Sequence, residues 1–272
     1  MRAAFYPVLF VLLLVSSAVS AQRRSVRNTV VIPELQAEWA LKDADYFLVG
    51  LNVVGNSNGD NSFTGGQLRL GYEHFWNERW SGGATVRLLR ANVQNYGDFF
   101  AQDGNVIPGV FLRHAGKIGS VNFGQRLGVE YGISTNNYLA VARNRALTRL
   151  RLDVDRIIAL GENVSLRPRI AYEAAAYLRL QRDENEREER VIDFGNLRGE
   201  VGVRLSPRVD ITPWVAAQTY YANFVPQYDP ITGEEVYGGR TNVIVPVIGL
   251  DARFTLFHEG GAAERRQLPS QH

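Results

Sequence analysis

Residues 145–160 read RALTRLRLDVDRIIAL, residues 164–180 read VSLRPRIAYEAAAYLRL, and residues 191–205 read VIDFGNLRGEVGVRL. Taken two residues at a time, Leu150, Leu152, Val154 and Ile158 share one face, while Arg149, Arg151, Asp153 and Asp155 share the other. In the second run Leu166, Ile170, Tyr172, Ala174, Ala176 and Leu178 oppose Arg167, Arg169, Glu173 and Arg179. In the third, Leu197, Val201, Val203 and Leu205 oppose Asn196, Arg198, Glu200 and Arg204. A period of two over so many residues predicts strands longer than the usual five or six. Charge at mid-strand on one face and apolar residues on the other predict a barrel with lipid outside and a polar interior. An ordinary antiparallel sheet with one wet face is the competing reading.

Working outward, the same alternation recurs. Phe47, Val49, Leu51 and Val53 mark a strand from Tyr46, and Leu68, Leu70 and Tyr72 oppose Gln67, Arg69 and Glu73. Ala84, Val86 and Leu88 oppose Thr85 and Arg87, with parity faltering at Leu88-Leu89, where a bulge is expected. Val110 and Leu112 oppose Arg113, and Phe123, Leu127 and Val129 oppose Asn122, Arg126 and Glu130. Val209 to Phe224 is a ninth strand, and Thr241 to Phe257 a tenth, with Ile248, Leu250, Phe254 and Leu256 opposite Asp251 and Arg253. Short turns alternate with longer polar segments at 56–62, 96–105, 132–144, 182–190 and 225–240. This is the rhythm of short periplasmic turns and long outer loops. The expected fold is therefore all-β: one transmembrane antiparallel barrel over 46–257, with ten strands. Both ends of this wall are expected on the periplasmic side. Residues 22–45 are expected as a lead-in or short strands, since Pro33 interrupts the run from Thr29; two strands there would make twelve.

The first 21 residues have a basic start at Arg2, an apolar run from Phe5 to Val15, and small residues to Ala21. That is the pattern of a secretory signal peptide. Residues 258–272 are a polar tail. Together these predict export and placement in the outer membrane of a Gram-negative cell, with membrane lipid as the partner of the outer face.

The hairpin at 71–83, GYEHFWNERWSGG, and the arginine-rich strand at 145–156 resemble those of outer-membrane barrels of Bacteroidota and related bacteria, in particular a family catalogued as a domain of unknown function. The resemblance spans most of Phe47 to Phe257. It implies an outer-membrane barrel and assigns no residue a mechanism. The chain departs from many such barrels in continuing past Phe257 rather than ending on an aromatic residue.

Composition narrows the function. A net charge of +2 gives no case for a nucleic-acid partner, and the absence of cysteine excludes disulfides and thiol chemistry. Of the 30 basic residues only Lys42 and Lys117 are lysines. Arginine pairs rigidly with carboxylates and suits a filled polar interior. The loop at 56–61 lacks a calcium-loop motif, no His/Asp spacing fits a metal, and the glycines before Gln67 are barrel glycines, so no cofactor is expected. A hydrolase would need a base such as His114 near Ser120, with Glu130 as a third partner.

The interior charges carry the main expectation. Arg149, Arg151, Asp153, Asp155, Arg167, Arg169, Glu173, Arg198 and Glu200 are expected to form one inward network. A tight turn at Gly161 sets Asp155 opposite Arg169 and Arg151 opposite Glu173. The leading expectation is a largely filled barrel with a structural or loop-mediated binding role, its surface ligands held by the loops. The alternative is a small anion-biased channel or transporter. A hydrolase is the weakest reading. The sequence sets no oligomeric state.

Overall fold

Two-residue periodicity and β-branched or aromatic outer positions produce strands throughout the computed structural model, which describes residues 23–41, 45–56, 65–91, 106–134, 144–162, 164–178, 191–233 and 235–257. The signal-peptide stretch, the polar tail, Arg179, and most of the loops at 56–62, 96–105, 132–144 and 182–190 lie outside the described residues. The elements are β1 (Arg23–Val26), β2 (Val30–Ala40), β3 (Asp45–Asn56), β4 (Gly65–Phe75), β5 (Trp80–Ala91), β6 (Val106–Ile118), β7 (Val121–Gly132), β8 (Arg145–Asp155), β9 (Ile158–Ala159), β10 (Ser165–Leu178), β11 (Phe194–Ser206), β12 (Val209–Tyr228) and β13 (Glu235–Phe257). Consecutive strands pair antiparallel from β2 to β13, and β13 then pairs with β2, closing the sheet on itself. Closure leaves the wall without a free edge.

The wall has eleven strands among the described residues: β2 to β8 and β10 to β13, with β9 a two-residue continuation of β8 against β10. The expected count of ten omitted β2. An odd count makes the closing pair parallel, Val30 opposite Val247 through Ala40 opposite Phe257. It also places the two ends of the wall at opposite rims, where an even count would have placed both at one. β1 extends the same seam, with Arg23 opposite Thr241. Pro33 does not end the strand. The β2–β3 ladder lapses between Val31–Gly55 and Glu34–Asn52, while pairing with β13 continues through Pro33 opposite Leu250.

Two further expectations are corrected. The β4–β5 ladder runs unbroken from Gly65–Ala91 to Phe75–Ser81, so there is no bulge at Leu88-Leu89; Leu89 faces in and Arg90 is exposed. Residues 225–240 are mostly hairpin rather than loop, pairing out to Tyr228 opposite Glu235. The register shifts between Phe224 and Gln227, which accommodates Pro226. The turn itself is tied by Asp229, whose carboxylate accepts the N–H groups of Ile231 (2.7 Å) and Thr232 (3.0 Å). Gly233 follows at φ 69°, a left-handed conformation that favours glycine.

The two faces differ as alternation requires. Leu51, Val110, Leu127, Leu152, Ile170, Leu197, Val215 and Ile248 are exposed on the outside, forming a belt of the kind that crosses a membrane. Toward the short turns the outer surface carries Trp39 on Phe47 (5.9 Å), Trp76 against His74 (6.1 Å), and Trp80 against His114 (4.6 Å). Aromatic and polar tips at that level match a membrane–water boundary. Among the described residues no helix is long and apolar enough to cross a membrane.

Candidate functional site: the charged inner wall

The inner face is layered. Near the short turns Ala40 and Tyr46 pack with Phe75 and Phe257. Toward the other end Ile32, Val54, Leu147, Ala175, Phe194, Trp214, Ala216 and Val247 form a second apolar cluster. Between them lies a charged band. Its carboxylates are Glu34, Glu38, Glu73, Glu130, Asp153, Asp155, Glu173, Glu200 and Asp251. Its arginines are Arg69, Arg87, Arg113, Arg126, Arg149, Arg151, Arg167, Arg169, Arg198 and Arg253. These groups face inward because each strand turns alternate side chains to one face. Nearly all are buried, so water does not screen them and each requires a partner.

The pairing is densest across β8, β10, β11 and β13. Glu200 accepts from Arg169 (2.6 Å) and Arg198 (2.6 Å). Arg198 also donates to Asp251 (2.7 Å), which accepts the Trp214 indole N–H (2.7 Å). The Arg198 guanidinium lies 4.0 Å over the Trp214 ring. Asp153 is 3.7 Å from Arg169 and 3.9 Å from Arg151. Asp155 takes a two-pronged contact from Arg167 (2.6 and 2.8 Å) and an Asn122 N–H (3.0 Å).

The nine network residues read from sequence all lie on this inner wall. Their register sets Arg169 opposite Asp155 and Glu173 opposite Arg151. Their shortest contacts run diagonally instead: Asp155 to Arg167, and Glu173 to Arg149 (2.8 Å). An arginine side chain spans a diagonal neighbour as easily as the residue directly opposite.

Other clusters were not assembled from sequence. Glu130 holds both Arg149 (2.9 Å) and Arg87. Glu73 accepts from Arg113 (2.6 Å) and Ser81 (2.7 Å). Beside the seam Arg69 pairs with Glu34 and Gln36 donates to Glu34 (2.7 Å), and across it Arg253 donates to Gln36 (2.9 Å). Glu34, Gln36 and Glu38 are absent from the expected network because residues 22–45, expected as a lead-in or short strands, stand outside the ten-strand wall. The alternation of Leu35, Ala37 and Trp39 against them was the available signal.

One part of the wall is built differently. Arg113 on β6, Arg126 on β7 and Arg151 on β8 lie directly opposite one another. Like charges in such positions repel. Arg113 is held by Glu73, and Arg126 lies 4.4 Å over the Phe111 ring.

The hydrolase candidates do not converge. His114 is on the outer face against Trp80, Glu130 is buried on the inner face, and Ser120 sits in the β6–β7 turn beside Gly119. His74 pairs with Asp45 (2.5 Å), and the Tyr72 hydroxyl donates to the same carboxylate (3.0 Å), all on the outside. Among the described residues no group of His, Asp and Glu has a metal-holding arrangement.

No family model matches the chain, and no curated protein does. Among solved structures a NanC porin is similar, with a TM-score of 0.41 and 11% identity over 81% of this chain and 91% of that one.

Proposed function

We propose that the chain is an outer-membrane barrel that admits small anions to a charged interior, as a narrow anion-biased channel or transporter. The observation that carries this reading is the row Arg113–Arg126–Arg151, three cations side by side on the inner wall. A row of guanidinium groups in a confined, weakly screened space attracts anions and repels cations. The apolar outer belt, the aromatic rim and the hairpin pattern at 71–83 support the outer membrane as its location.

A second reading is supported by a different observation. The interior is packed: Gln36 and Glu38 are each 0% exposed and Arg198 is 1% exposed, so the charged band leaves little open lumen. On that reading the barrel is a structural scaffold whose outer segments bind ligands.

Vesicle efflux separates the two. Purified barrel reconstituted into liposomes loaded with potassium chloride is expected to release chloride faster than protein-free liposomes do, once valinomycin carries potassium out as the counter-charge. Retention of chloride with valinomycin present would favour the scaffold, and potassium release without valinomycin, in exchange for protons carried by an uncoupler, would refute the anion reading.

A further inference from the structure

The geometry points to a binding site for one small, singly charged carboxylate on the Arg126 guanidinium, beside Gly128. It rests on the anion reading above and supplies that passage with its narrow point.

Three observations on β7 and its neighbours carry it. The first is charge. The charged band named above holds one more arginine than carboxylates, and Arg126 is the arginine with no carboxylate within 4 Å among the described residues. The nearest candidate on its own strand, Glu130, is already taken by Arg87 and Arg149. The Nε of Arg126 is buried with no hydrogen-bond partner. A buried donor left unsatisfied is costly, and an incoming acceptor removes that cost.

The second observation is orientation. The ring of Phe111 lies under the guanidinium at 4.4 Å and gives it an attractive face to rest on. A planar fork held in place suits a carboxylate, which accepts two parallel N–H bonds.

The third is room. The inward positions on either side of Arg126 along β7 are glycines. At Gly124 the space is already filled, because a Cβ there would meet the Asp153 Oδ2 at 2.5 Å. At Gly128 a Cβ would meet only the Val110 carbonyl at 3.5 Å and the Phe111 Cβ at 3.8 Å, both ordinary contacts. One side of Arg126 is therefore blocked by a carboxylate and the other is open. A single negative charge balances the surplus, whereas a dianion would place unbalanced charge near Glu130 and Asp153.

The test is calorimetric titration of formate into the folded barrel in detergent, with sulfate as the divalent comparator. One formate per barrel is expected to bind, and sulfate to bind more weakly. Arg126→Gln should weaken formate binding by at least about tenfold while the barrel keeps its folded gel mobility. Gly128→Val retains every charge and fills the open side, so it should weaken binding to a similar degree; it answers the question even if Arg126→Gln does not fold. Equal formate affinity in wild type and Gly128→Val, or in wild type and Arg126→Gln, would overturn the site. Formate binding lost in both variants, in a barrel whose liposomes release no anion, would uphold the site and remove the passage. Anion release with formate affinity unchanged in both variants would remove the site and leave the passage.

Discussion

The inner walls of β10–β11–β13 and of β6–β7–β8 are made from the same residue types and differ in one row, where β6, β7 and β8 set arginine opposite arginine. On the first, Glu200 bridges Arg169 and Arg198, and Asp251 closes the set with Trp214. On the second, three arginines stand in line and the middle one rests on an aromatic ring. Closed pairs hold strands together and leave no charge for a ligand. A line of like charges weakens the wall slightly and attracts a counter-charge. On the proposed function, stability rests mainly on the bridged side of the barrel and ligand handling would fall to the arginine row.

The largest break in this picture should come from Glu200→Ala. It removes the carboxylate shared by Arg169 and Arg198 and should cost about 3–5 kcal/mol, read by denaturant unfolding in detergent. Next, Leu152→Arg turns the comparison inside out. Arg151 and Leu152 are adjacent in sequence, but one faces the interior and the other is exposed on the belt. An arginine at 152 should cost about 2–4 kcal/mol in a lipid bilayer, and a smaller loss in detergent would assign the penalty to lipid. Glu173→Ala should cost less than the Glu200 change, about 1.5–3 kcal/mol, because Arg149 keeps its bond to Glu130. Arg126→Gln should be the exception among the inward arginines. Relieving repulsion from two flanking cations is worth roughly 0.2–1 kcal/mol each, so equilibrium unfolding should show no loss of stability and a slight gain. A loss comparable with that of Glu200→Ala would erase the distinction between the two sides.

The smallest effect lies outside the wall. Two backbone N–H groups, those of Thr232 and Ile231, hold the Asp229 carboxyl below its ordinary pKa. A depressed folded-state value means that the carboxylate supports the turn above the unfolded carboxylate range and loses that support as pH falls through the folded value. Amide exchange at Ile231 and Thr232 should accelerate on acidification through that window, and Asp229→Ala should remove the pH dependence without altering unfolding of the barrel.

What could be read from the sequence follows from how local each feature is. The stretch 145–205 was legible because alternation fixes the face, and the tight connection near Gly161 fixes the register, Asp155 against Arg169 included. β2 was legible only as the alternative of short strands at 22–45, and not as a single long strand closing the wall. Its partner β13 lies more than 200 residues away, the pairing is parallel, and Pro33 mimics a strand end. The extended β12–β13 hairpin was hidden by Pro226, Pro230 and Gly233, which read as loop residues although the ladder continues past Pro226 through a register shift. Partner choice inside the band was only half legible. Alternation turns Glu173 inward, but its bond to Arg149 rather than to the residue opposite depends on side-chain reach. The isolation of Arg126 depends on Arg87 and Arg149 taking Glu130 from two other strands, a relation with no local trace in the sequence.

The most direct test of the contrast between the bridged arginines of β10–β11–β13 and the row Arg113–Arg126–Arg151 is the reversal potential in a planar bilayer under a potassium chloride gradient. Wild-type barrel should give a small current that reverses toward the chloride equilibrium potential, and Arg126→Gln should move the reversal toward zero in a barrel that remains folded. A wild-type current that reverses toward the potassium potential, or one whose selectivity Arg126→Gln leaves unchanged, would contradict the account.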